Sequence, residues 1–135
     1  MNTLPTAAAD IALHTTHDAE ERDGLTAALT RVALDWGLTN DEAAALAGVA
    51  PRTWSRIKDG TFRGTLGQDQ MMRASLLIGI YTGLRALIDG PLTHNWPKTV
   101  NAGFEDHTPV AMMIEGGIPA MLMIRNHIDA LQGDA

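Results

Sequence analysis

The stretch "LTNDEAAALAGVAPRTWSRIKDG", residues 38–60, leaves little freedom in how it folds. Thr39 or Asn40 can cap a helix, and Asp41 and Glu42 sit in its first turn, where negative charge suits the helix dipole. The alanine run stops at Gly48. Pro51 then suits the first position of a second helix, and Gly60 ends that helix in a left-handed conformation. A connection of about three or four residues forces the two helices into contact at a steep angle. Ala44 is small where they cross, and Ala43, Ala47, Val49, Trp54 and Ile57 can face inward together. Arg52, Thr53, Ser55, Arg56 and Lys58 are left on the outer face of the second helix.

That arrangement is a helix-turn-helix. In this motif the second helix enters the major groove and its early residues meet base edges. Arginine can pair bidentately with guanine, and threonine and serine can serve bases or phosphates. The competing reading is an ordinary helix corner with a solvated charged face. Charge distribution favours DNA locally. The chain carries a net charge of −6, but residues 36–73 hold five basic and four acidic side chains, whereas 1–35 hold two and six, and 74–135 three and six. Local potential matters more than the total.

The rest of the 135 residues reads as all-α, rich in alanine, leucine and methionine, with 45% hydrophobic residues and 4% aromatics. Residues 1–20 show no period and predict a disordered tail. A first helix is expected from about Asp23 to Trp36, ended by Gly37. A long helix is expected from about Gln68 to Ile88, with Met71, Met72, Leu76, Ile80, Leu84 and Leu87 near one apolar stripe, widened by Leu77, Ile78 and Tyr81. That width predicts a spine shared by both halves, or a homodimer interface, and a DNA-binding dimer would match a palindromic site. Gly79 and Gly83, four apart, would permit close approach of another backbone. Thr108-Pro109 opens a helix that Gly116-Gly117 closes. Ile118-Pro119 opens the last one, which runs to about Leu131 and Gly133. The expected division is a tail over 1–20, a helix-turn-helix unit over 21–66, and a C-terminal unit over 67–135.

Absence of cysteine excludes disulfides and thiolate chemistry and fits a reducing cytoplasm. The N-terminus lacks the pattern of a secretory signal, and "ASLLIGIYTGLRALI" is too short and too interrupted by Arg85 to span a membrane. Two histidine groups merit weighing as reactive sites. His14 and His17 lie in the presumed tail, with no scaffold for a metal, and Glu105-Asp106-His107 are adjacent residues, which rarely converge on one ion. Gly-rich phosphate loops, nucleophile elbows and paired-histidine zinc motifs are missing. The chain is therefore read as a non-enzyme with no cofactor and no metal.

The segment "HNWPKTVNAGFEDHTPVAMMIEGGIPAMLMIRNHIDALQG" adds a resemblance. Trp96, Pro97, Asn101, Gly103, Phe104, Thr108, Pro109, Gly116, Gly117, Ile124, Arg125, Ile128, Asp129, Leu131 and Gly133 follow, in order and spacing, the C-terminal domain of the Xre/MbcA/ParS antitoxins, which the chain resembles over about residues 25–133. Ala102 departs from the second loop glycine often found there, and the acidic N-terminal tail is a further departure.

The resemblance implies a helix-turn-helix bundle fused through a long helix to a small helical toxin-binding domain. It further implies a type II antitoxin that covers the active site of a RES-domain toxin acting on NAD, and that represses its own operon. Met112, Met113, Glu115, Ile118, Met121, Leu122, Arg125 and Asp129 are the candidate toxin-binding residues. Methionine adapts to irregular apolar surfaces, and Arg125 can anchor a partner or pair with Asp129 one turn on. A stand-alone helix-turn-helix regulator is the alternative.

Overall fold

A computed structural model describes the backbone of residues 3–88 and 92–133, and side chains within 18–88 and 93–133. Among the described residues six α-helices follow one another: α1 (Thr3–Asp35), α2 (Asn40–Ala47), α3 (Pro51–Asp59), α4 (Gln68–Leu87), α5 (Leu92–Asn95) and α6 (Pro109–Leu131), with 3₁₀ turns at Trp96–Lys98 and Ala102–Phe104. No strand occurs among the described residues. Asn101 and His107 form an isolated antiparallel bridge.

The first three helices end in the same way. Gly37, Gly48 and Gly60 all have positive φ (64°, 73° and 79°). In each case the glycine and its successor donate back to the last helical turn: Leu38 to Ala33 at 2.9 Å, Val49 to Ala44 at 3.0 Å, and Thr61 to Arg56 at 2.9 Å. This closure satisfies carbonyls that the helix leaves unpaired, and a side chain at the glycine would be strained. Thr39 caps α2 in a reciprocal box: its hydroxyl accepts from the Glu42 N–H at 3.1 Å, and the Glu42 carboxylate accepts from the Thr39 N–H at 2.9 Å. Pro51 opens α3.

α1 begins at Thr3, not near Asp23, so the backbone of 3–20 is helical where a tail was expected. The alanines and leucines there are strong helix formers, and Pro5 lies in the first turn, where its missing N–H costs no helical bond. Residues 1 and 2, and the side chains through residue 17 with His14 and His17, lie outside the described residues.

α4 is the spine. It packs against α1 on one side and α6 on another, burying Ala74, Leu76, Leu77, Ile80, Gly83 and Leu84. Met72, expected in that stripe, is exposed. α6 breaks at Gly117 (φ 68°, ψ −149°), a conformation open only to glycine, so it forms two limbs, as the Gly116-Gly117 pair implies. The second limb runs alongside α4 in the same direction: Arg125 lies over Gly79, and Ile128 over Gly83. The Gln132 side chain donates to the Gly83 carbonyl at 3.4 Å. The two glycines therefore admit side chains, not a second backbone, at close range. Buried residues of α1, α2, α3, α4 and both limbs of α6 form one continuous cluster. The helix-turn-helix and the C-terminal unit share a core.

Candidate functional site

α3 is pinned by two side chains. Trp54 and Ile57, both buried, face the core together with Ala43 and Ala47, and Val49 packs against its edge. This phase turns Arg52, Ser55, Arg56 and Lys58 to solvent, whereas Thr53 is half-buried. Arg52 and Arg56 stand one turn apart on one face, and neither enters an ion pair among the described residues. The Lys58 ammonium donates to the Asn40 side chain at 3.2 Å, and Arg63 donates to the carbonyls of Gly60 and Phe62. Lys58 and Arg63 thus brace the corner, and Arg52 with Arg56 are the cations left to meet an anion. No side chain caps the first turn of α3.

Three contacts hold the corner in place against the rest of the molecule. Arg73 of α4 packs on Gly48, pairs with Asp69 at 2.8 Å, and points a guanidinium nitrogen at the Ala45 and Leu46 carbonyls, setting positive charge at the C-terminus of α2. Gln70 accepts from the Gly67 N–H at 2.6 Å and donates to the Gly48 carbonyl at 3.2 Å. Lys98, from the C-terminal half, donates to the Gly37 carbonyl at 2.9 Å and pairs with Glu42 at 2.7 Å. Burial pushes the Glu42 carboxyl up, but Lys98 and the Thr39 cap outweigh it and hold its pKa below the ordinary value.

A second polar cluster ties α1 to α4 and α5. The Tyr81 hydroxyl donates to Asp35, which also pairs with Arg31 at 3.1 Å and lies 3.7 Å from His94, and Arg85 donates to the Tyr81 oxygen at 3.1 Å. Burial raises the Asp35 pKa, and the Tyr81 and Arg31 hydrogen bonds, with the charges of Arg31 and His94, bring it below normal.

The predicted partner-binding residues divide. Met113 and Met121 are fully buried and belong to the core, so neither presents to a partner. Met112 and Ile118 are half-buried against that core. Leu122 is 48% exposed, and beside it Met123, not foreseen, is 45% exposed. Glu115 and Asp129 are exposed. Arg125 pairs with Asp129 at 3.3 Å, as expected, while its guanidinium covers Gly79. Ile114, at 39% exposure, is another residue the sequence reading missed. Each limb turns one face to the core, and Met113 on the first and Met121 on the second lie on those faces. Within the second limb, the spacing of Met121, Ile124 and Ile128 was the signal that leaves Leu122 and Met123 outside.

The loop before α6 is organised by Phe104, buried edge-on against Trp96 at 6.0 Å and His127 at 5.1 Å between ring centres. Asn101 accepts from the Gly103 N–H at 2.8 Å. Glu105 and Asp106 both take positive φ and are exposed, and the His107 ring lies 3.3 Å from the Phe104 carbonyl oxygen. No group of three His, Asp or Glu residues placed to hold a metal occurs among the described residues. No described helix is long and apolar enough to cross a membrane.

No curated protein matches the chain. Residues 16–79, from within α1 to the middle of α4, are similar to the antitoxin Xre-like helix-turn-helix domain, whose family model they match.

Proposed function

We propose that this chain is the antitoxin of a type II toxin–antitoxin pair. In this reading it neutralises a RES-domain toxin that acts on NAD, by covering the toxin's active site with α6, and it represses its own operon through α3, as a homodimer within the toxin–antitoxin complex. The match of residues 16–79 carries the reading. The resemblance of the C-terminal segment, which lies outside that match, supplies the toxin class. A stopper of this kind needs no reactive group: it needs shape, desolvation and a few anchors. Leu122 and Met123, side by side and half-exposed on the second limb, are the apolar anchors, flanked by the Arg125–Asp129 pair. Burying each would stabilise a complex by roughly 1.5–3 kcal/mol.

The test is co-expression with the product of the adjacent reading frame. The wild-type chain rescues growth, and Leu122→Asp with Met123→Asp abolishes rescue while the fold is kept. Truncating α6 is a poor substitute, because it removes Met121, Ile124 and Ile128 from the core. Rescue by the double variant at wild-type level refutes the assignment of these residues. Failure of the wild-type chain to protect refutes the antitoxin reading and leaves a stand-alone regulator.

A further inference from the structure

The first turn of α2 and the first limb of α6 face one another across an open groove of about 490 Å³, lined by Glu42, Lys98, Val110, Ala111, Ile114 and Glu115. Its floor is apolar. Val110 is buried there, while Ile114 is left partly exposed in a concave position that no described residue covers. Its rim is acidic. Lys98 is already engaged by Glu42 and the Gly37 carbonyl. Glu115 is exposed with no ion pair among the described residues, and Asp41, beside Glu42, is exposed in the same helical turn. An aliphatic floor beside the unpaired Glu115 carboxylate suits an aliphatic side chain next to a cation. Nucleic acid and small anions are disfavoured by the same charges.

We infer that this groove is a docking site for a segment of the protein partner that carries an arginine or lysine beside an aliphatic residue. Identifying that partner as the toxin rests on the antitoxin reading above. The groove lies on the opposite limb of α6 from Leu122 and Met123, across the Gly117 break, so it is a second point of attachment. Its rim residues Lys98 and Glu42 are those that tie the C-terminal half to the end of α1 and to the cap of α2. A bound partner therefore touches the frame that holds the DNA-reading helix.

The experiment titrates the purified product of the adjacent reading frame into the full-length chain by calorimetry. Ile114→Lys and Glu115→Lys are compared with wild type and with Leu122→Asp, and each variant is checked for an unchanged melting profile. Both groove sites are at the surface, so the fold survives. Each groove variant is expected to weaken binding by about tenfold or more. Wild-type affinity, within about twofold, for both groove variants while Leu122→Asp binds weakly overturns the groove and spares the antitoxin reading. No binding and no protection by the wild-type chain overturns both. Groove variants that alter self-association in sedimentation, and leave partner binding intact, assign the groove to a second copy and overturn the inference.

Discussion

Gly79 and Gly83 lie one turn apart on α4 and face the same limb of α6, yet alanine should act oppositely at the two. In a helix interior, replacing glycine by alanine favours the helix by roughly 0.5–1 kcal/mol. At Gly83 the new methyl would lie 2.7 Å from Cγ2 of Ile128, a fully buried side chain. Ile128 is β-branched, has one favoured helical rotamer, and has no space to retreat into. Overpacking of this kind costs about 1–3 kcal/mol, which exceeds the helix gain. The net expectation is a loss of about 1 kcal/mol or slightly more, and a melting temperature lower by about 3–5 °C. At Gly79 the methyl would lie 1.8 Å from a guanidinium nitrogen of Arg125, nominally a worse clash. That nitrogen is the far end of a flexible side chain with 35% exposure, and it can swing into water. What is lost is one exposed pair with Asp129, worth about 0.3–0.5 kcal/mol. Gly79→Ala should therefore leave stability unchanged or slightly raised. Thermal and urea melts followed by circular dichroism at 222 nm read both. If Gly79→Ala proves the more damaging of the two, or Gly83→Ala is neutral, the packing account of the α4–α6 contact is wrong.

Lys98→Met removes the bond to Gly37 and the ion pair with Glu42, and should destabilise the chain by about 1 kcal/mol at neutral pH. Glu42 has a folded pKa below its ordinary 4.5, so its stabilising effect is complete above that value and is lost as pH falls through the folded one. The variant's deficit should accordingly shrink when melts are repeated at acid pH, and a deficit independent of pH would refute the role given to the ion pair. Arg52→Ala or Arg56→Ala should weaken operator binding by roughly 1–3 kcal/mol if the arginine reads a base, measured by fluorescence anisotropy at fixed salt. Wild-type affinity in both would remove α3 from the DNA interface.

Short-range chemistry was legible in the sequence. The glycine closures at 37, 48 and 60, the Thr39 cap with its Glu42 partner, Pro51 at the start of α3 and the break at Gly117 all depend on residues within one or two turns, and all stand where the local pattern places them. The inward set of Trp54 and Ile57 follows as well, since one short helix has one phase. What only the tertiary structure decided is which surface each limb of α6 shows. Met113 and Met121 are buried, and Leu122, Met123 and Ile114 are not, because each limb turns one face to the core. The seat of Arg125 over Gly79 and the reach of Lys98 to Gly37 likewise join residues 46 and 61 positions apart. Backbone propensity acts within a turn or two, whereas burial and ion pairing depend on which distant elements meet, and a linear pattern of residue types does not record that meeting.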